Sequence, residues 1–271
     1  MIEPFISPIL AHKQYDAPSV FSPENLLREA RRQKSVPVGT VPKICILDPD
    51  GDLEQHLIDS GQAQINPFWA CYHTKLYDFH YKGFDFGIVA CAVGASFAVL
   101  VAEEMFASGC ELLISITSAG QIVKIAQPPY FFIIEKALRD EGTSYHYLPP
   151  AIYSEINPFL DQELKAIFED YQSILFFGSS WTTDGPFRET EEAVRYAQSK
   201  GILGVEMEAA ALYAFSEARQ KSVICIGQIT NQMGQIENDF EKAEGHLDGL
   251  EIIALIAQND LATRFTDNRI K

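Results

Sequence analysis

From Lys43 onward the chain alternates short apolar, β-rich runs with longer stretches whose apolar residues recur three and four apart. The runs "KICILD", "FDFGIVACAVG", "ELLISIT", "YFFIIEKAL", "SILFFGSSWTT" and "SVICIGQIT" read as strands. The stretches "SFAVLVAEEMFASG", "NPFLDQELKAIFEDY", "EEAVRYAQSKG" and "VEMEAAALYAFSEARQ" read as helices, and "HLDGLEIIALIAQNDLATRF" as one more. Such alternation confines the chain to an α/β fold built on a largely parallel, buried sheet flanked by helices. Ligands of such folds gather beyond the carboxyl ends of the strands, so residues just after strands are the functional candidates.

Residues 1–42 stand apart as a Pro-rich extension with one predicted helix at "SPENLLREARRQK", capped by Ser22 with Pro23 at its first position. Residues 43–271 are read as a single domain. With 47% apolar residues among 271, the chain supplies a sizeable core. Its formal charge of -16 argues against nucleic acid or an anionic membrane as partner and leaves a small molecule. The five cysteines, Cys45, Cys71, Cys91, Cys110 and Cys225, are odd in number and widely spaced within apolar runs, so they are expected as reduced core residues with no metal site. The start has no signal-peptide pattern and no run approaches the roughly 20 apolar residues of a membrane span, which predicts a cytoplasmic protein.

The stretch "KICILDPDGDLEQHL" predicts a buried strand, a glycine turn and a helix start, a layout whose backbone N–H groups and helix dipole favour an anion. This corner instead carries Asp48, Asp50, Asp52 and Glu54. A second anomaly is "GVEMEAAALYAF", where Glu206 and Glu208 flank Met207 in an otherwise apolar segment. Buried carboxylates need donors. The pair suits the hydroxyls of a sugar; alternatively one Glu caps the helix and the other faces solvent.

Other strand ends carry ligand-competent groups. "ITSAGQI" offers Thr117, Ser118 and Gly120 in a turn with hydroxyl and backbone donors. "RDEGTSYHY" brings His146, either a site wall or an oligomer contact. "WTTDGPFRET" supplies Phe187 and Arg188, suited to stacking on and bonding to a heterocycle, and "ITNQMGQ" supplies the amides of Asn231 and Gln232.

Taken together, "GVEMEAAALYAF", "ALRDEGTSYHYLP", "WTTDGPFRETEEAVRYA" and the "SAG" turn resemble the nucleoside phosphorylase family of uridine phosphorylase and hexameric purine nucleoside phosphorylase, from about Lys43 to the C-terminus. The resemblance implies a central mixed sheet flanked by helices, a three-layer sandwich. It also implies a homo-oligomer (dimer, trimer or hexamer) whose sites borrow residues from neighbours, and a nucleoside as the small-molecule partner. By the same resemblance Met207 packs on the ribose, Glu208 accepts its 2′ and 3′ hydroxyls with Glu206 alongside, and Ser118 touches ribose and phosphate. Thr117, Gly120 and His146 wall the site, and Phe187, Arg188, Asn231 and Gln232 face the base. Asn231 matches the uridine enzymes, where the purine enzymes have Asp. No cofactor is implied beyond phosphate as co-substrate.

At the phosphate positions the chain departs from the family. Asp50 and Glu54 stand where the family has a glycine and an arginine, Ser115 where it has a second arginine, and Tyr72 near the arginine borrowed from a neighbour. Like charges at about 4 Å repel by about 1 kcal/mol even in water, so phosphate binding in the usual mode is disfavoured. Three readings follow: N-glycosidic cleavage with a rebuilt anion site, for which Lys75 or the Arg28, Arg31 and Arg32 helix would supply cations; hydrolysis by water activated by Glu54 or Asp50, which with Glu208 are the catalytic candidates; or nucleoside binding without catalysis.

Overall fold

The computed structural model describes residues 7–171, 175–232 and 249–259. The extension forms α1 (Pro23–Lys34), whose N-cap Ser22 accepts the N–H of Asn25 as its sequence predicts. The body then runs β1 (Ile44–Asp48), α2 (Asp52–Asp59), β2 (Ala63–Ile65), β3 (Tyr77–Tyr81), β4 (Phe84–Ala90), α3 (Ala95–Ala107), β5 (Leu112–Gln121), β6 (Tyr130–Asp140) and β7 (Tyr153–Glu155). It continues with α4 (Pro158–Ile167), β8 (Leu175–Thr183), α5 (Glu191–Ser199), β9 (Gly204–Glu206), α6 (Ala209–Arg219), β10 (Ser222–Gln232) and α7 (Gly249–Gln258).

The strands join one mixed sheet, as expected. One wing reads β5-β1-β4-β3-β2, with β1 parallel to both β4 and β5 and β3 antiparallel to both β4 and β2. At β5 the sheet curls: β5 pairs β10, β10 pairs β6, β6 pairs β8, β8 pairs β9, and β9 returns to β5 through Gly120↔Val205 and Gln121↔Gly204. Five strands thus close a ring, and β7 adds to β6 alone.

Strand β1 is buried along its whole length, which explains its unbroken apolar run. Helix α6 is buried from Ala209 to Ser216, and its small residues let it pack closely on β6 and α3. Tyr213 is fully buried there, its hydroxyl donating to the Ile134 carbonyl and accepting from the Cys225 N–H. Each fully buried large apolar side chain contributes about 1.5–3 kcal/mol. The cysteines are all free, and four are buried; Cys91 is a correction to the sequence reading. It lies beyond β4 in a left-handed turn at φ 60° that turns it out of the core.

Candidate active site

Strand β9 ends on Glu206, and two residues later α6 begins. Glu206 Oε2 accepts the N–H groups of Glu208 and Ala209, both at 2.7 Å, so this side chain caps the helix. Its Oε1 accepts the hydroxyls of Ser180 at 2.9 Å and Thr182 at 2.5 Å from neighbouring β8. Glu208 turns the other way: Oε1 accepts the Gly94 N–H at 2.7 Å, and Oε2 accepts the Thr117 hydroxyl at 3.0 Å and the Met207 N–H at 3.3 Å. At 3% and 2% exposure neither carboxylate faces solvent, so the alternative of one solvated Glu does not hold. Gly94 caps α3 at φ +88°, a conformation that favours glycine, and thereby aims its N–H at Glu208.

Burial raises both carboxyls. Glu206 is opposed in this by donors that include two backbone N–H groups, which can only donate. Glu208 is pushed to about 8 by burial and then by the Glu206 charge. The pair shares one environment but divides its tasks: Glu206 fixes the turn, and Glu208 sits beside Met207, the residue that the sequence reading expects to pack on a ribose.

The first corner lies at the carboxyl ends of the parallel strands β1 and β4, where Asp48 is level with Ala90. Asp48 is buried and caps α2, taking the Gly51 N–H at 3.1 Å and the Glu54 N–H at 2.9 Å. Gly51 has φ +82°, and a Cβ there would stand 2.9 Å from the Cys91 sulfur, so only glycine fits. Asp50 Oδ2 accepts the Ser118 N–H at 2.7 Å, and Glu54 Oε2 accepts the Ala90 N–H at 2.9 Å. Two donors of the kind an anion would seek are therefore filled by the chain's own carboxylates. Burial lifts Glu54 to about 7; the Ala90 bond and the Lys75 charge pull down, and the Asp48 charge pushes up. Ser115 is buried within β5, and its hydroxyl has no hydrogen-bond partner among the described residues.

The remaining sequence candidates separate. Thr117 belongs to the Glu208 network, and Ser118 is tied to the corner through its backbone. Gly120 lies within β5, opposite Val205 and Asn231 where the ring closes. Phe187, 94% exposed, and Arg188 lie in the turn Pro186–Arg188 and take no part in the hydrogen bonds around Glu206 and Glu208. His146 is exposed and bonds Lys13 of the extension at 2.7 Å, with burial and the Lys13 charge lowering its pKa. Asn231 and Gln232 extend β10 opposite Gly120 and Gln121, and their side chains lie outside the described residues. Sequence reasoning missed Gly94, Ser180 and Thr182, whose roles come from contacts far along the chain. It also passed over Glu189, half-buried beside Arg188 and raised to about 7 by burial alone.

These raised carboxyls set a pH dependence. Between the ordinary 4.5 and the folded values of about 7 for Glu54 and Glu189 and about 8 for Glu208, the native state keeps protons that the unfolded chain sheds. Stability therefore falls as pH rises through that window. His146 acts oppositely, but only below its ordinary value of 6.5. The melting temperature is expected to drop between pH 6.5 and 8.5, with a shallower drop in a Glu54→Gln, Glu208→Gln double variant; a flat native profile would contradict the assignment.

Residues 43–257 match the model of the phosphorylase superfamily, most of the chain, and the protein belongs to that family. Among curated proteins, a guanosine phosphorylase of Halorubrum lacusprofundi is 25% identical over 193 residues, covering 68% of this chain and 79% of its own. The fold matches the crystal structure of uridine phosphorylase from Vibrio fischeri ES114 with a TM-score of 0.62 at 20% identity, over 94% of this chain and 96% of that one. The Vibrio fischeri enzyme complexed with 6-hydroxy-1-naphthoic acid gives 0.62 at 22% identity, over 83% and 89%. The α/β fold with its flanked central sheet and the family resemblance read from the sequence are thereby both established. No helix among the described residues is long and apolar enough to cross a membrane.

Proposed function

We propose that this protein is an enzyme that cleaves the N-glycosidic bond of a nucleoside, with the sugar against Met207 and Glu208. The observation that carries this reading is Glu208 itself: a carboxylate buried at 2% exposure, oriented by Gly94 and Thr117, next to the residue aligned with the ribose. Cleavage develops positive charge on the sugar ring, and a preorganised carboxylate in a dry site stabilises that charge more in the transition state than in the ground state. An ionised Glu208 also accepts hydroxyl donors, so sugar binding favours loss of its proton.

The nucleophile enters on the side of Asp50 and Glu54. Because Asp50 already occupies the Ser118 N–H, a phosphate must displace a carboxylate to bind there. Water needs no such displacement, and a carboxyl at about 7 is well matched to general-base work near neutral pH. That observation favours hydrolysis as a second reading. Assembly as a homo-oligomer belongs to the same proposal. Its support is apolar exposure beside α3, with Val93 at 52% and Leu100 at 38% exposed.

The test is to incubate the protein with uridine, thymidine, inosine, guanosine and adenosine, with and without phosphate, following free base and sugar 1-phosphate. Base release that rises little with phosphate is expected. Stoichiometric sugar 1-phosphate at sub-millimolar phosphate would show instead that the corner yields to the anion. Absence of release from every nucleoside would overturn the enzymatic reading.

A further inference from the structure

The helix α1 lies outside the family match yet grips the body. Leu27 and Ala30 are buried against Ala70, and Ala107 of α3 packs on the same cluster. At its last residue, Lys34 Nζ donates to the carbonyl of Cys71 at 2.7 Å and reaches that of Ala70 at 3.4 Å. The Tyr72 hydroxyl donates to Gln33 at 2.9 Å. After the helix, Gly39 packs so closely on Phe68 that a Cβ would stand 2.3 Å from its ring. Four residues, Phe68, Ala70, Cys71 and Tyr72, are thus fastened to the extension.

This strap is knotted within itself and runs straight to the corner. The Trp69 indole donates to Thr74 at 3.0 Å, the His73 N–H points at the Cys71 sulfur, and the Asn66 N–H donates to the Leu76 carbonyl. The His73 ring meets Phe97 of α3 edge-on at 6.3 Å. The strap then enters β3, where Tyr77 pairs Ile88. Lys75 lies two residues before Tyr77 in the chain, and Ala90, whose N–H holds Glu54, lies two residues after Ile88. Near the strap lies Glu104, buried with neither oxygen in a hydrogen bond among the described residues; burial raises its carboxyl, an effect that the Cys71 side chain and the His73 and Lys34 charges oppose.

We propose that Lys34 is a positioning residue of the site: by tying down residues 70–71 it holds Lys75 near the Glu54 corner, so that the extension, which precedes the residues matched by the family model, sets the charge balance where the nucleophile enters. The bare connection between strap and corner is geometric, and the Lys75 charge acting on Glu54 agrees with it. The functional sense of this proposal rests on the reading of that corner given above. Its test does not, because it needs no turnover.

The experiment follows the titration of the Glu54 carboxyl by carbon-13 NMR in the full chain, with Glu54→Gln to assign the signal. Removing a nearby cation raises a carboxyl midpoint, by a few tenths of a pH unit for a screened partner. Lys75→Met and Lys34→Met are each expected to raise it by similar amounts, the double variant by no more than Lys75→Met alone, and Lys34→Arg to leave it near native. A midpoint unmoved by Lys34→Met while Lys75→Met raises it overturns the positioning role; one unmoved by Lys75→Met overturns the placement of Lys75. If Lys34→Met does not fold, Lys34→Gln, whose shorter amide reaches at most one of the two carbonyls, carries the same comparison with the same deciding outcomes.

Discussion

A Glu208→Gln variant is expected to release base from its nucleoside at least about 100-fold more slowly than the native chain, the scale on which loss of one preorganised electrostatic group is felt in catalysis. The amide preserves shape, so the fold survives, but it removes the negative charge that the proposed function sets against the sugar and puts an NH2 among the donors that Glu208 now satisfies from Gly94 and Met207. Chromatographic measurement of free base at saturating and limiting nucleoside decides the matter. Full activity in the variant would remove Glu208 from the mechanism and with it the sugar assignment of Met207.

Glu206→Ala acts on the same turn with the opposite symptom. It orphans the backbone N–H groups of Glu208 and Ala209 and the hydroxyls of Ser180 and Thr182, all buried. Each buried unsatisfied group costs about 1–3 kcal/mol, and the two hydroxyls can rotate to other partners, which leaves a net loss of about 3–4 kcal/mol. For a chain of this size that lowers the melting temperature by roughly 10 °C. Calorimetry is the measurement, and a drop of under about 3 °C would show that Glu206 does not hold the β9–α6 corner.

Much of this was legible before any coordinates. The alternation of apolar runs with helical spacing marks β1, β4, β5, β6, β8 and β10 but not the short or polar β2, β3, β7 and β9, and Ser22 and Pro23 mark the start of α1 because capping is a local affair. The Glu206 and Glu208 pair stood out because carboxylates in an apolar segment demand partners. Which partners was not legible. Gly94 precedes Glu208 by 114 residues, and the sequence around it signals only a helix start. Closure of the strand ring depends on the short β9, three residues whose pairing on both sides is set by chain direction rather than composition. Cys91 was misread because it sits in an apolar window, whereas one left-handed turn decides its exposure.

The curl of the sheet has a consequence for how copies of this molecule can meet. The ring closes through the three-residue β9, and among the described residues the strands at the ends of the sheet, β2 and β7, are each three residues long. So short a template cannot recruit a foreign strand or another copy by continuing the sheet. At β2 and β7 continuation of the sheet would therefore add few backbone hydrogen bonds, and side-chain identity would set the geometry of a contact made there.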